Sequence, residues 1–321
     1  MSFVYVAVGL MLLLIAGDLL VRGAVSLGLR AGIPAVIVGL TIVAFGTSAP
    51  ELFVTIESVM EGVPGLAVGN VIGSNIANVL LVLGLPALLA PMGDHSNETR
   101  RNYIIMMFVT MVAVALCLAG PLTWWQGGLL LTMLAMFLFD TYRSAMASRA
   151  RGEDVEAPDE LEDADPQMPP WKIASLIGIG IIGLPVGAGF AIEGARDIAL
   201  SYGLSDEAVG LTIIALGTSL PELATTVMAA VRGRADVAIG NVIGSNLFNL
   251  LAILGVAASL GEITLPAEFL NLNLWVMVAA SAALAPFIFM RRNVGRIAGG
   301  VFVAAYVVYI ALVLQPTPTP I

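Results

Sequence analysis

The chain has 321 residues, 59 % of them hydrophobic and 12 % charged, with a formal net charge of −9. Soluble domains carry about 25 % charged residues, so the composition excludes one and points to a polytopic α-helical membrane protein. The acidic excess is local, because Glu153–Asp165 alone holds eight acids and no base; it argues for no basic partner, and nothing resembles a nucleic-acid-binding surface.

Apolar runs near the ~20 residues that cross a bilayer predict ten spans. Span 1 covers 3–21. It lacks the basic lead of a secretory signal and reads as a retained helix. Asp18 and Arg22 at its end, four residues apart, read as a local ion pair. Span 2 (33–60) carries GTSAPE at 46–51, and span 3 (66–90) carries GNVIGSNIAN at 69–78. His95 follows in a short loop, and one histidine makes no metal site. Span 4 (103–121) contains Cys117, the single cysteine, which excludes an internal disulfide. Trp124 and Trp125 precede span 5 (125–143), where aromatic belts sit at a membrane edge.

A Pro-, Asp- and Glu-rich connector at 144–171 separates residues 1–143 from 172–321. It lacks the ordered spacing of a calcium-binding loop and reads as a solvated linker. Spans 6 to 10 follow at 173–192, 205–231, 237–260, 271–290 and 296–314. Span 7 carries GTSLPE at 217–222 and span 8 carries GNVIGSNLFN at 240–249. The terminal PTPTP reads as disordered.

The second set of motifs repeats the first at a shift of 171. Without a gap, residues 39–84 and 210–255 agree at 25 of 46 positions. Each half has five predicted spans. Thirteen of the 14 basic residues fall on connections of one side, and only Arg196 falls on the other. The positive-inside bias makes that side cytoplasmic and puts both termini outside. Five is odd, so the halves insert in opposite directions. Inverted repeats with interrupted helices are the architecture of many secondary transporters.

Each repeat plants one glutamate, Glu51 or Glu222, in an apolar run. A carboxylate at membrane depth is costly, which makes it a functional candidate. Pro50 lacks an N–H and Gly46 weakens the helix, so span 2 should break and release carbonyls near Ala44 and Phe45. Span 7 should do the same near Ala215 and Leu216. Thr47, Ser48, Thr218 and Ser219 add hydroxyls. Ser74 and Asn78 share a helix face, as do Ser245 and Asn249, whereas Asn75 and Asn246 should face elsewhere. Gly69/Gly73 and Gly240/Gly244 form small-xxx-small surfaces for close helix approach. Glu57 has Met228 as its counterpart and reads as an outer-vestibule or interfacial residue. The donor set is two carboxylates, hydroxyls, amides and carbonyls. Such hard oxygens suit Ca²⁺ and Na⁺, and the absence of His and Cys disfavours Zn²⁺, Cu and Ni.

With GTSAPE and GNVIGSNIAN in one half and GTSLPE and GNVIGSNLFN in the other, the chain resembles the cation/calcium antiporter superfamily, specifically sodium/calcium exchangers and their prokaryotic relatives. The Gly-Thr-Ser form favours the sodium-coupled branch over proton/calcium exchangers, which typically carry Gly-Asn near the glutamate. The resemblance implies Ca²⁺/Na⁺ exchange in the plasma membrane by alternating access, with spans 1 and 6 sliding across the other eight. The ligands it implies are Ala44, Thr47, Ser48, Glu51, Ser74 and Asn78, with Ala215, Thr218, Ser219, Glu222, Ser245 and Asn249. Several exchangers carry Asp where this chain has Asn249. Two carboxylates then match one Ca²⁺ in formal charge. Competing readings keep the fold and change the coupling ion, as a H⁺/Ca²⁺ or K⁺-dependent Na⁺/Ca²⁺ exchanger, or use the same oxygens in a cation channel. No enzymatic triad, cofactor motif or obligate protein partner is evident.

Overall fold

The computed structural model describes residues 2–32, 35–62, 64–94, 96–150, 167–201, 215–265 and 272–313. Within these the protein is all-helical, with two isolated β-bridges and no strand. The helices are α1 (Ser2–Ala31), α2 (Gly39–Thr47), α3 (Ala49–Met60), α4 (Pro64–Leu89), α5 (Asn97–Ala119) and α6 (Trp124–Ala150). After the connector come α7 (Pro170–Ser201), α8 (Ala215–Thr218), α9 (Leu220–Val231), α10 (Ala235–Leu260), α11 (Leu274–Phe289) and α12 (Arg296–Val313). Seven described helices are long and apolar enough to cross a membrane, and the bent pair α2–α3 makes an eighth. α9 and α11 are shorter apolar helices. His95, most of the connector, the first part of predicted span 7 and the terminal PTPTP lie outside the described residues.

α4 and α10 form the centre. In their apolar windows 78 % and 94 % of residues are buried, against 22 to 44 % in α1, α5, α6, α7 and α12. That contrast separates a core from a lipid-facing ring. Helix association in lipid depends on close packing more than on apolar burial, and the glycines supply it. A Cβ on Gly244 of α10 would stand 2.4 Å from the Leu40 carbonyl oxygen of α2 and 2.7 Å from the Ala44 Cβ. The small-xxx-small expectation therefore holds for Gly244 but not for its counterpart Gly73, where a Cβ would meet nothing within 4 Å.

The peripheral helices expose large apolar side chains, among them Phe108 on α5, Phe139 on α6 and Ile297 on α12. Lipid is the medium that suits them. Trp124 and Trp125 at the start of α6, and Trp171 at the start of α7, are also exposed. They stand at helix ends, where an amphipathic ring meets the interface.

α1 and α7 lie side by side along their whole length. A Cβ on Gly194 would meet the Ser2 carbonyl oxygen at 2.6 Å, one on Gly187 the Leu13 nitrogen at 2.9 Å, and one on Gly180 the Leu20 backbone at 2.9 Å. As the α1 number rises the α7 number falls, so the two helices are antiparallel. α1 runs ten residues beyond the predicted end of its span. Asp18 there takes Arg22 at 3.7 Å, as expected, and also Arg232 from the end of α9.

The halves clasp each other reciprocally. Met92, after α4, exchanges two backbone hydrogen bonds with Val294, before α12. Ile263, after α10, does the same with Leu122, before α6. Shifting Met92 by 171 gives Ile263, and shifting Leu122 gives the neighbour of Val294. Each half thus contributes equivalent positions to the two contacts.

Replacing Gly244 with Ala should lower the melting temperature of the purified protein by several degrees, because over-packing typically costs about 1–3 kcal/mol and the clash is with backbone. The control is Gly300→Ala, whose Cβ would meet only Leu88 Cδ2 at 3.8 Å. Equal melting temperatures for the two variants would contradict this packing.

Candidate functional site

The chain breaks where Pro50 and Pro221 predict it. α2 and α3 meet at an angle of 48°. The hinge residue is Ser48, with φ −83° and ψ 5°, and its counterpart Ser219 has φ −87° and ψ 2°. Both backbones lie in the sparsely used bridge region, which recurs at functional sites. Of the two carbonyls expected to be released, that of Ala44 keeps a bond from Ser48 N at 3.0 Å and accepts Thr47 Oγ1 at 3.2 Å. Pro50 has no N–H to offer the Gly46 carbonyl four residues before it.

Ser48 and Glu51 have the spacing of a helix capping box, as do Ser219 and Glu222. The side chains are not used that way. Neither serine caps its helix, although Ser96 at the start of α5 does so, accepting from Thr99 N at 3.1 Å. Ser48 Oγ instead crosses between repeats and donates to Glu222 Oε1 at 3.0 Å. Ser219 Oγ has no protein partner.

All predicted ligand side chains that are described lie at 5 % exposure or less: Ala44, Thr47, Ser48, Glu51, Ser74, Asn78, Thr218, Ser219, Glu222, Ser245 and Asn249. Ala215 opens α8, and its side chain lies outside the described set. Buried side-chain oxygens nearly always have a hydrogen-bond partner. Here both oxygens of Glu51, Oε2 of Glu222, the hydroxyls of Ser219 and Ser245, and Oδ1 of Asn78 and Asn249 accept none from the protein. Among the described residues, buried unpartnered oxygens elsewhere belong only to Ser26 and Asn75. The exceptions thus gather on the residues the motifs singled out.

Asn78 and Asn249 each open a π-helical turn, at Asn78–Val82 and Asn249–Ile253. Such wide turns inside an α-helix often accompany functional sites. Asn78 Nδ2 donates to Asn246 Oδ1 at 3.1 Å, and Asn246 Nδ2 reaches Met106 Sδ at 3.8 Å. Asn246 therefore abuts the cluster, contrary to expectation, because Asn78 of the other repeat reaches across to its side-chain oxygen. Asn75 behaves as expected and bonds its own helix at Val71. Glu57 is exposed on α3 and Cys117 is a buried free thiol.

Two functional neighbours escaped the motif reading. Asn70 Nδ2 donates to the Glu51 carbonyl at 3.1 Å and to Thr55 Oγ1 at 3.0 Å. Asn241 Nδ2 does the same for Glu222 and Thr226 at 3.5 and 3.0 Å. Their identity in both copies, at the head of each GNVIGSN, was the available signal.

The chain is similar in sequence and fold to known proteins. The sodium/calcium exchanger protein family matches residues 1–142 and 172–315. A protein named as an antiporter, CaxA of Alkalimonas amylolytica, is 36 % identical over 95 % of this chain and 96 % of its own. The inner membrane protein YrbG of Escherichia coli is 35 % identical over 97 % and 96 %. A solved structure of the sodium-calcium exchanger NCX_Mj, soaked with 10 mM Na⁺ and 10 mM Sr²⁺, superimposes with a TM-score of 0.82 at 31 % identity, covering 97 % of each chain. The chain belongs to the sodium/calcium exchanger family, whose members are membrane ion transporters rather than catalysts.

Ser219→Ala should change the stability of the protein in chelator without Na⁺ by less than about 0.5 kcal/mol, whereas loss of a genuine cap costs about 1 kcal/mol. Ser96→Ala, which removes such a cap, should melt earlier in the same scan. A Ser219→Ala variant that melts as early as Ser96→Ala would show that Ser219 holds its helix.

Proposed function

We propose that the protein is a secondary antiporter that exchanges Ca²⁺ for Na⁺ by alternating access across a prokaryotic plasma membrane. The reading has ten spans in two inverted five-helix repeats, α2–α3 and α8–α9 being broken spans 2 and 7. Both termini then lie outside and the acidic connector lies in the cytoplasm. Antiparallel α1 and α7, which are counterparts under the 171-residue shift, support the inversion. So do the reciprocal Met92–Val294 and Leu122–Ile263 bonds. The basic residues support the orientation.

The cation site is shared by the repeats near the bilayer midplane. Its donors are Thr47, Ser48, Glu51, Ser74 and Asn78 from one side and Thr218, Ser219, Glu222, Ser245 and Asn249 from the other, with the carbonyls of Ala44 and Ala215. Within that set the Ala44 carbonyl is the weakest member, since both lone pairs are engaged. The observation that carries the reading is the pair of buried glutamates with three of four carboxylate oxygens unpartnered. Leaving buried charge uncompensated is strongly unfavourable. One Ca²⁺ offsets two carboxylates and takes six to eight oxygens. Na⁺ uses the same hard donors with half the charge. Exchange at one site follows, because the empty form is the costly one.

Glu51→Gln and Glu222→Gln should each reduce Ca²⁺ flux by about a hundredfold or more, since breaking a buried charge pair typically costs about 3–5 kcal/mol. The variants should elute as folded protein. Wild-type flux in either would sink the shared site.

In proteoliposomes, an imposed Na⁺ gradient should drive ⁴⁵Ca²⁺ movement in the opposite direction. Collapsing ΔpH or removing K⁺ should barely change it. Flux that follows ΔpH and ignores Na⁺ would assign proton coupling, and flux that needs no counter-ion would assign a channel.

A further inference from the structure

The two asparagines that head GNVIGSN connect the repeats in a crossed pattern. Thr47 Oγ1 lies 3.5 Å from Asn241 Oδ1, and Thr218 Oγ1 lies 3.5 Å from Asn70 Oδ1. The 171-residue shift turns each pair into the other. Thr47 precedes Glu51 in one repeat, yet its asparagine neighbour holds the turn of Glu222 in the other. The same exchange links Thr218, through Asn70, to the turn of Glu51.

The amide orientation is fixed by chemistry. The Nδ2 side of Asn241 faces the Glu222 carbonyl, and that of Asn70 faces the Glu51 carbonyl. A carbonyl only accepts, so each Oδ1 must face the threonine. A hydroxyl has one proton and two acceptor lone pairs. To coordinate a cation through a lone pair, it must send the proton elsewhere. Ala44 oxygen accepts the Thr47 hydroxyl at 3.2 Å alongside Ser48 N; once the Ala44 carbonyl and the Glu222 carboxylate turn to an ion, as the proposed ligand set has it, Asn241 Oδ1 at 3.5 Å is the acceptor left. A hydroxyl polarised by a bound cation is a stronger donor, and the 3.5 Å contact should tighten on binding.

We propose that Asn70 and Asn241 are positioning residues that wire the site crosswise. Each holds the glutamate-bearing turn of its own repeat and takes the hydroxyl proton of the other repeat's threonine, freeing that oxygen for the ion. This rests on the reading of Thr47 and Thr218 as ligands. A mutation on one side of the site then acts on the glutamate of the other.

The test is a pair of double-mutant cycles read by ⁴⁵Ca²⁺ equilibrium binding to purified protein without Na⁺. Thr47→Val should weaken binding about fivefold, the effect of one typical hydrogen bond, and Asn241→Ala and Asn70→Ala should weaken it more, because each also releases the turn of its own glutamate. Thr47→Val with Asn241→Ala should bind no more weakly than Asn241→Ala alone, because the crossing contact is already gone. Thr47→Val with Asn70→Ala should show the product of the two single effects, as independent sites do. Thr47→Ser should restore affinity. If Asn241→Ala yields no folded protein, Asn241→Ser replaces it, and the Thr218→Val/Asn70→Ala cycle supplies the mirror-image pair. Melting scans should show the Thr47–Asn241 coupling in Ca²⁺ and lose it in chelator, which a purely structural bond would not do. Additive effects in every pair, or coupling of Thr47 with Asn70 instead, would overturn the crossing while leaving the ion site standing. Wild-type binding in both Thr47→Val and Thr218→Val would overturn the ligand reading and the crossing with it.

Discussion

Two carboxylates stand at the centre of a membrane-embedded helical core and find almost nothing in the protein to pair with. Glu51 has no hydrogen-bond donor on either oxygen, and Glu222 has one, from Ser48. Among the described residues, no arginine or lysine forms an ion pair with either. In lipid such groups are tolerated only where a partner or water reaches them. The surrounding architecture answers that demand. Prolines break the helices at the glutamates, serines at the breaks forgo capping, and two asparagines open wide turns toward the same place. Each of these weakens a helix locally, and each leaves an oxygen without a protein donor.

The cost is met by packing elsewhere. α4 and α10 are almost wholly enclosed, and glycines at Gly39 and Gly244 bring α2 and α10 into backbone contact. α1 and α7 pack along a seam of Gly9, Gly180, Gly187 and Gly194, so small residues carry that interface as well. Near the other end of that seam, Gly17 and Asp18 join α1 to α9, where a Cβ on Gly17 would stand 3.2 Å from the Ala224 backbone and Asp18 pairs with Arg232.

The two halves are related but not identical. Asn78 is held by Asn246, which in turn rests on Met106. Asn75, the counterpart of Asn246, turns its Nδ2 to its own helix, and its Oδ1 takes no bond from Asn249. Ser48 bonds the opposite glutamate, whereas Ser219 bonds nothing. The neutral amide of Asn249 leaves Glu51 and Glu222 as the two carboxylates of the cluster.

Much of this was legible in the sequence because the signals were local. A proline, a glycine and a glutamate inside an apolar run announce a break and a charge together, and repetition at a fixed shift makes coincidence untenable. What was not legible depends on helix register across repeats. The Ala44 carbonyl keeps its bond because the helix segment ends at Thr47, with Ser48 N still donating back to it. The contacts of Asn70, Asn241 and Asn246 join segments over 140 residues apart. Spacing along one helix cannot reveal those. The most direct test of the central claim is equilibrium binding of ⁴⁵Ca²⁺ to the purified protein with increasing Na⁺. The account predicts one saturable Ca²⁺ per chain, displaced competitively by Na⁺. Saturable Ca²⁺ that Na⁺ fails to displace, or no saturable Ca²⁺ at all, would contradict it.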